Sequence, residues 1–138
     1  MVDGATDVAD LEATEPNRQL ARQFIETVMI GKAFDRLSDF INTQDYVEHN
    51  PRLGDDIALL QAELERRLDD GFYTDYQKLH RVLAQGNFVL CVTEGLSGGA
   101  HTAFYDLFRM AHGKIVEHWD TTETVAPKSE WKNNNGKF

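Results

Sequence analysis

The chain has 138 residues, 41% of them hydrophobic and 27% charged, with a formal net charge of −9. This is the size and composition of one domain that can bury a single core. No apolar run approaches the ~18 residues of a membrane span, the opening MVDGATDVAD lacks the basic and apolar regions of a secretory signal, and the acidic balance argues against a nucleic-acid or anionic-membrane partner, which needs a basic patch. The single Cys91 excludes an internal disulfide and a cysteine-based zinc knuckle. The reading is of a small cytoplasmic globular protein.

Residues 1–13 carry Asp3, Asp7, Asp10 and Glu12 with no Lys or Arg and read as an acidic flexible tail. The domain proper is expected over 14–125. Thr14 can cap a first helix, with Pro16 in its opening turn, where a missing N–H costs little. Leu20, Ala21, Phe24, Ile25, Val28 and Met29 recur with helical spacing as one apolar stripe, and Gly31 is the stop. Phe34, Leu37, Phe40 and Ile41 predict a short second helix. Residues 45–51 read as an extended piece, because Pro51 biases Asn50 away from helix. Asp55 or Asp56 starts a third helix with Ile57, Leu60, Leu64 and Leu68 on its buried face, ended by Gly71.

After Gly71 the pattern becomes extended. Residues 77–84, 88–94, 102–110 and 114–124 predict four strands, with turns at 85–87, 97–99 and 111–113. Short turns between successive strands imply an antiparallel meander. Residues 88–92 are apolar on both faces, so that strand is interior. The order helix, helix, short strand, helix, four strands is that of an α+β domain with helices packed on one face of a curled sheet. Residues 126–138 read as a polar C-terminal tail in which Trp131 and Phe138 are the only large anchors.

The last hairpin allows a parity argument. A three-residue loop 111–113 with Gly113 at positive φ pairs Phe108 with Val116, Asp106 with His118 and Phe104 with Asp120 on one side of the sheet. Tyr105, Leu107, Arg109, Ile115, Glu117 and Trp119 fall on the other side. A two-residue His112-Gly113 turn would pair Asp106 with Trp119 instead. The longer loop is preferred because histidine is a poor first residue for a type I′ turn. Two carboxylates and an imidazole on a mostly apolar face are costly unless something needs them, and such groups suit proton transfer. The bland alternative is a satisfied Asp–His pair on a wet face.

His80 alternates with Tyr76, Val82 and Ala84 and is expected to face the same cavity. His49 sits in Tyr-Val-Glu-His-Asn-Pro at the junction of helices and sheet. His101 and His112 lie at turns and are expected to be exposed. His49, His80 and His118 are numerous enough for a three-histidine metal site, but nothing in their spacing demands one, and no metal is assigned. Cys91 reads as a small core hydrophobe.

Tyr46-Val-Glu-His-Asn-Pro51, Tyr105-Asp-Leu-Phe-Arg109 and Gly113-Lys-Ile-Val-Glu-His-Trp-Asp120 resemble the SnoaL-like branch of the nuclear transport factor 2-like superfamily, over about residues 17–124. The resemblance implies a cone-shaped, strongly curved, mostly antiparallel sheet closed by three helices around a pocket. It also implies the chemistry of polyketide cyclases, which close a ring by intramolecular aldol condensation without metal or cofactor. It places the general acid/base role on Asp120. His118 and Asp106 would orient substrate or stabilise an enolate, and His49, His80, Tyr46, Phe104 and Phe108 would line the substrate pocket. The expected ligand is a small apolar carbonyl compound; the non-enzymatic alternative is a ligand-binding or dimerisation module of the same fold. An epoxide hydrolase with an Asp–Arg–Asp arrangement is disfavoured by the opposite parity of Arg109. A homodimer through the outer sheet face is expected, on Tyr105, Leu107 and Ile115, joined by Trp119.

Overall fold

A computed structural model describes residues 3–69 and 74–138; the side chains of Leu68 and Asp69 are not among the described parts. The expectations placed on Leu68 and Gly71 therefore lie outside the described residues.

Helix α1 (Thr14–Phe24) runs on into a π-helical stretch, Ile25–Ile30. The predicted stripe is its buried face: Ala21, Phe24, Ile25 and Val28 are core, with Leu20 and Met29 packed against them. Thr14 does not cap the helix; its hydroxyl donates to Leu11 O and accepts from Gly86 N. It thus ties the helix start to a sheet turn. A 3-10 turn (Phe34–Arg36) leads into the short α2 (Leu37–Phe40), then β1 (Val47–Glu48) and α3 (Ile57–Asp69). Asp56 caps α3, accepting Leu59 N on its carboxylate at 3.0 Å.

Four long strands follow: β2 (Thr74–Gln85), β3 (Phe88–Ser97), β4 (Ala100–Ala111) and β5 (Lys114–Thr124). The five-stranded sheet has the order β1-β5-β4-β3-β2, antiparallel throughout except for β1 beside β5. It is curved and not closed on itself. The helices cover its inner face, where Phe24, Leu37, Phe40, Phe104, Phe108, Met110 and Ile115 pack as one core. This is the α+β arrangement expected from the element order.

The β4–β5 register differs from the expected one. His112 and Gly113, at φ 51° and 72°, form a two-residue turn, so Ala111 pairs with Lys114. Both central residues stand at positive φ, as a type I′ turn requires. A bulge then passes over Val116: Met110 pairs with Ile115, but Arg109 pairs with Glu117. The shorter turn and the extra residue each move the register by one. Together they displace it by two from Glu117 onward, so beyond the bulge the faces are those expected while the partners are not. Phe108 faces His118, Asp106 faces Asp120 and Phe104 faces Thr122. The bulge also turns Ile115 into the core, where it is fully buried. The expectation that Ile115 forms part of an outer dimer face is corrected accordingly.

The terminal segments lie on the outer face. Ala9 and Asn87 are doubly bonded, Ala9 N to Asn87 Oδ1 and Asn87 N to Ala9 O, both at 2.9 Å. Trp119 Nε1 donates to Asp3 O at 3.3 Å. At the other end Phe138 stacks on His80 at 4.4 Å, and Lys137 pairs with Glu123.

Candidate functional site

The site is built where β1, β4 and β5 meet on the inner face. His118 (β5) directs Nε2 to Asp106 Oδ1 (β4) at 3.0 Å and Nδ1 to Glu48 (β1), at 3.0 Å from Oε2 and 3.1 Å from Oε1. Each carboxylate takes further donors. Tyr76 OH donates to Asp106 at 3.1 and 3.2 Å, Tyr46 OH to Glu48 Oε2 at 2.5 Å, and Asn50 N to Glu48 Oε1 at 2.9 Å. The result is one chain, Tyr46–Glu48–His118–Asp106–Tyr76. Phe108 stacks on the His118 ring at 5.0 Å, and Phe104 on the Tyr76 ring at 4.3 Å.

The side chains of Glu48 and Asp106 are 1% and 3% exposed, that of His118 14%. Burial by itself would pull the imidazole pKa down. The hydrogen bonds and charges of Asp106 and Glu48 outweigh it and lift His118 to about 10. Burial would raise Glu48, but the bonds from His118, Tyr46 and Asn50 N hold it below the ordinary value. Both phenols are pushed up, first by burial and then by the carboxylate each one serves. At neutral pH His118 is therefore an imidazolium, with both N–H groups committed, one to Glu48 and one to Asp106.

Asp120 stands apart from this chain. It is exposed, and Asn50 Nδ2 donates to its Oδ2 at 2.8 Å. Two cavities meet at His118. The inner one, about 40 Å³, is walled by Phe24, Leu37, Tyr46, Phe108 and Ile115 together with the three charged groups. The outer one, about 390 Å³, opens past Tyr76 and Phe104 to Asn50, Arg52, Arg67, Asp120, Thr121 and Thr122.

Of the residues named from sequence, Asp106, His118, Tyr46 and Phe108 line the inner cavity, and Phe104, His118 and Asp120 the outer one. His49 and His80 do not face either cavity, contrary to expectation. His49 follows Glu48 in an alternating strand and points outward, to Glu117 Oε1 at 2.8 Å, with its ring stacked on Trp119. β2 carries two bulges, one between Tyr76 and Lys78 and one between Leu79 and Arg81, at His80; the first already breaks the alternation counted from Tyr76. His80 bonds Glu94 at 2.8 Å, as does His101. His49, His80 and His118 thus do not converge. Among the described residues no group of three or more His, Cys, Asp or Glu is arranged to hold a metal ion.

His80, Glu94 and His101 border a larger cavity, about 550 Å³, whose other wall is the C-terminal segment with Trp131 and Phe138. The smaller pair at His118 is the candidate site, because there, among the described residues, buried charged groups meet enclosed apolar walls. Sequence reasoning missed Glu48, Asn50, Arg52, Arg67 and the bonding role of Tyr76. Glu48 was within reach of the parity argument, being two residues from Tyr46 in an extended segment.

No family model matches the sequence, and no curated protein matches it. Solved structures do. The chain is similar to a candidate ketosteroid isomerase from Kribbella flavida DSM 17836, at 18% identity and TM-score 0.66, over 91% of this chain and 94% of that one. It is similar to a nuclear transport factor 2-like protein of unknown function from Cytophaga hutchinsonii ATCC 33406, at 16% identity and TM-score 0.63, over 87% and 95%. It is also similar to a SnoaL-like polyketide cyclase from Agrobacterium tumefaciens str. C58, at 10% identity and TM-score 0.61, over 78% and 91%. No helix among the described residues is long and apolar enough to cross a membrane. A curved sheet with three helices on its inner face, in a chain these structures match over 78–91% of its length, is the nuclear transport factor 2-like fold.

Proposed function

We propose that the chain is a small-molecule enzyme that moves a proton at carbon next to a carbonyl, in the manner of an isomerase, a cyclase or an aldol-type lyase. The observation that carries this reading is the division of labour among the carboxylates. Glu48 and Asp106 are buried and each bonded by His118 and a tyrosine, whereas Asp120 lines the outer cavity with, among the described residues, only Asn50 on its carboxylate. Asp120 is the general base. It takes the α-proton and returns it, while Asn50 fixes the carboxylate orientation. His118 has no free N–H and no lone pair to offer, so its part is to fix the polar wall between the two cavities. Arg52 and Arg67 also line the outer cavity and supply positive charge where an enolate would develop. The apolar inner cavity suits a small apolar end of the substrate. The fold supports the reading by analogy alone, since it carries isomerase and cyclase descriptions in the structures it resembles.

The test is α-proton exchange of small ketones and 1,3-dicarbonyl compounds in D2O, followed by NMR. Asp120→Asn is expected to slow exchange by about 10²–10⁴-fold with little loss of stability, since the residue is exposed. Undiminished exchange in Asp120→Asn would remove Asp120 from the role.

An epoxide hydrolase of the Asp–Arg–Asp type is disfavoured, because Arg109 donates to Glu117 on the outer face, at 2.6 Å, away from Asp106. The second reading, a non-catalytic ligand-binding module, draws on the small inner cavity and the satisfied polar groups around it. Ligand-induced shifts without any exchange would favour it. A homodimer through Tyr105 and Leu107 is a separate proposal, checked by sedimentation.

A further inference from the structure

The outer face behind the site carries a second buried network that the proposed chemistry does not use. Glu117 has a side chain only 4% exposed, and its two oxygens are taken by Arg109 Nε at 2.6 Å and His49 Nε2 at 2.8 Å. His49 lies flat on Trp119, ring centroids 4.6 Å apart. The N-terminal segment is seated on this network. Gly4, at φ +84°, leaves no room for a side chain: an added Cβ would stand 2.3 Å from Glu117 Oε1 and 2.4 Å from Trp119 Cζ2. Asp3 O accepts from Trp119, and the far end of the segment is pinned by the reciprocal Ala9–Asn87 bonds.

The same two strands supply the inner and the outer groups in alternation. On β1 and its continuation, Glu48 and Asn50 reach the site and His49 reaches outward. On β5, His118 and Asp120 face the site and Glu117 and Trp119 face outward. The backbone join between these strands is short: Val47 pairs with Glu117, Glu48 pairs with His118, and His49 N donates to His118 O at 2.9 Å. So brief a ladder does not by itself fix an edge strand. Side chains clamp it from both sides instead, Glu48–His118 within and His49–Glu117 without.

We propose that His49 and Glu117, with the N-terminal segment closing over them, are positioning residues that hold β1 against β5 and so keep Glu48 and Asn50 in register with His118 and Asp120. The proposal rests on the reading of the inner chain as the site, but its test does not need turnover.

The readout is the NMR titration of the His118 imidazole, with Glu48 (β1) and Asp106 (β4) as its charged neighbours, Tyr46 and Tyr76 as the phenols bonded to them, and Asp120 beside it on β5. Two variants are compared with the wild type. His49→Ala removes the outer clamp, and Gly4→Val lifts the segment while leaving every group of the network in place. Each is expected to lower the His118 midpoint by about one unit or more as Glu48 withdraws. His49→Gln, which can still donate to Glu117, is expected to restore most of it. A lowered melting temperature with an unmoved His118 midpoint in Gly4→Val would overturn the proposal and leave the network a purely structural one. Should His49→Ala fail to fold, Gly4→Val decides alone. If the His118 midpoint moves in these variants while Asp120→Asn keeps full exchange activity, the enzymatic reading falls and the positioning stands. The reverse pattern separates the two in the other direction.

Discussion

Among the carboxylate–imidazole clusters of the described residues, two have opposite stoichiometry. At the site, one imidazole stands between two carboxylates, Glu48 and Asp106. At the β2–β4 side of the outer face, one carboxylate, Glu94, stands between two imidazoles, His80 and His101. The bond lengths are alike, 2.8 Å at Glu94 and 3.0 Å at His118. The surroundings are not: Glu94 is 28% exposed and His101 42%, whereas the site carboxylates are almost wholly enclosed. Water can replace a partner lost at Glu94, whose carboxylate the hydrogen bond from His80 holds below its ordinary value. Nothing replaces a partner lost at His118. Distance alone does not rank such pairs; the cost of leaving a charge unpaired does.

The largest expected effect breaks the inner cluster. His118→Leu leaves two buried carboxylates facing each other and is expected to cost about 3–5 kcal/mol, read from urea unfolding at neutral pH. A cost below 1 kcal/mol would mean the cluster is hydrated and resembles the outer one.

The pH dependence sharpens the contrast without mutation. His118 rises from an ordinary 6.5 to about 10 in the folded state. Its contribution to stability is therefore complete below 6.5 and is lost as pH climbs toward 10, a loss on the order of a few kcal/mol. Glu48 is depressed, so its contribution is present above its ordinary 4.5 and is lost as pH falls below it. Urea midpoints across this range are expected to decline on the alkaline side, and the decline is expected to vanish in His118→Leu.

Tyr76→Phe is milder. It keeps the ring on Phe104 and removes one donor from Asp106, at an expected cost of about 1.5–3 kcal/mol in the same unfolding assay. Glu94→Gln is the smallest: within about 1 kcal/mol, as for exposed pairs generally, and without effect on the His118 midpoint. A larger loss there would show that the C-terminal segment, through Phe138 on His80, carries stability that its exposure does not suggest.

The difference between the clusters also marks where sequence reading reached. Parity placed Asp106 and His118 on one face, correctly, although the predicted partners were off by two. A turn one residue shorter and a bulge one residue long shift the register together by two, and alternation has period two, so the face survives. The same rule misplaced His80, because β2 carries two bulges, and the first, between Tyr76 and Lys78, already interrupts the alternation from Tyr76 before His80 is reached. For His49 the rule was available and pointed outward. Counting from Tyr46 puts His49 on the opposite side from Glu48, the residue that actually enters the site.

The sequence by itself determined the elements and their order. Helical stripes, strand alternation and glycine turns are local properties, written in residues close along the chain. It also determined that Asp106 and His118 share a face. Tertiary structure alone decided that Glu48, 70 positions before His118, completes the chain; that Asn50 reaches Asp120; and that Gly4 closes over Glu117. These contacts depend on where β1 docks beside β5 and how the terminal segment crosses the sheet. Such long-range packing is fixed by the shape and charge of both partners together, and neither segment records it alone.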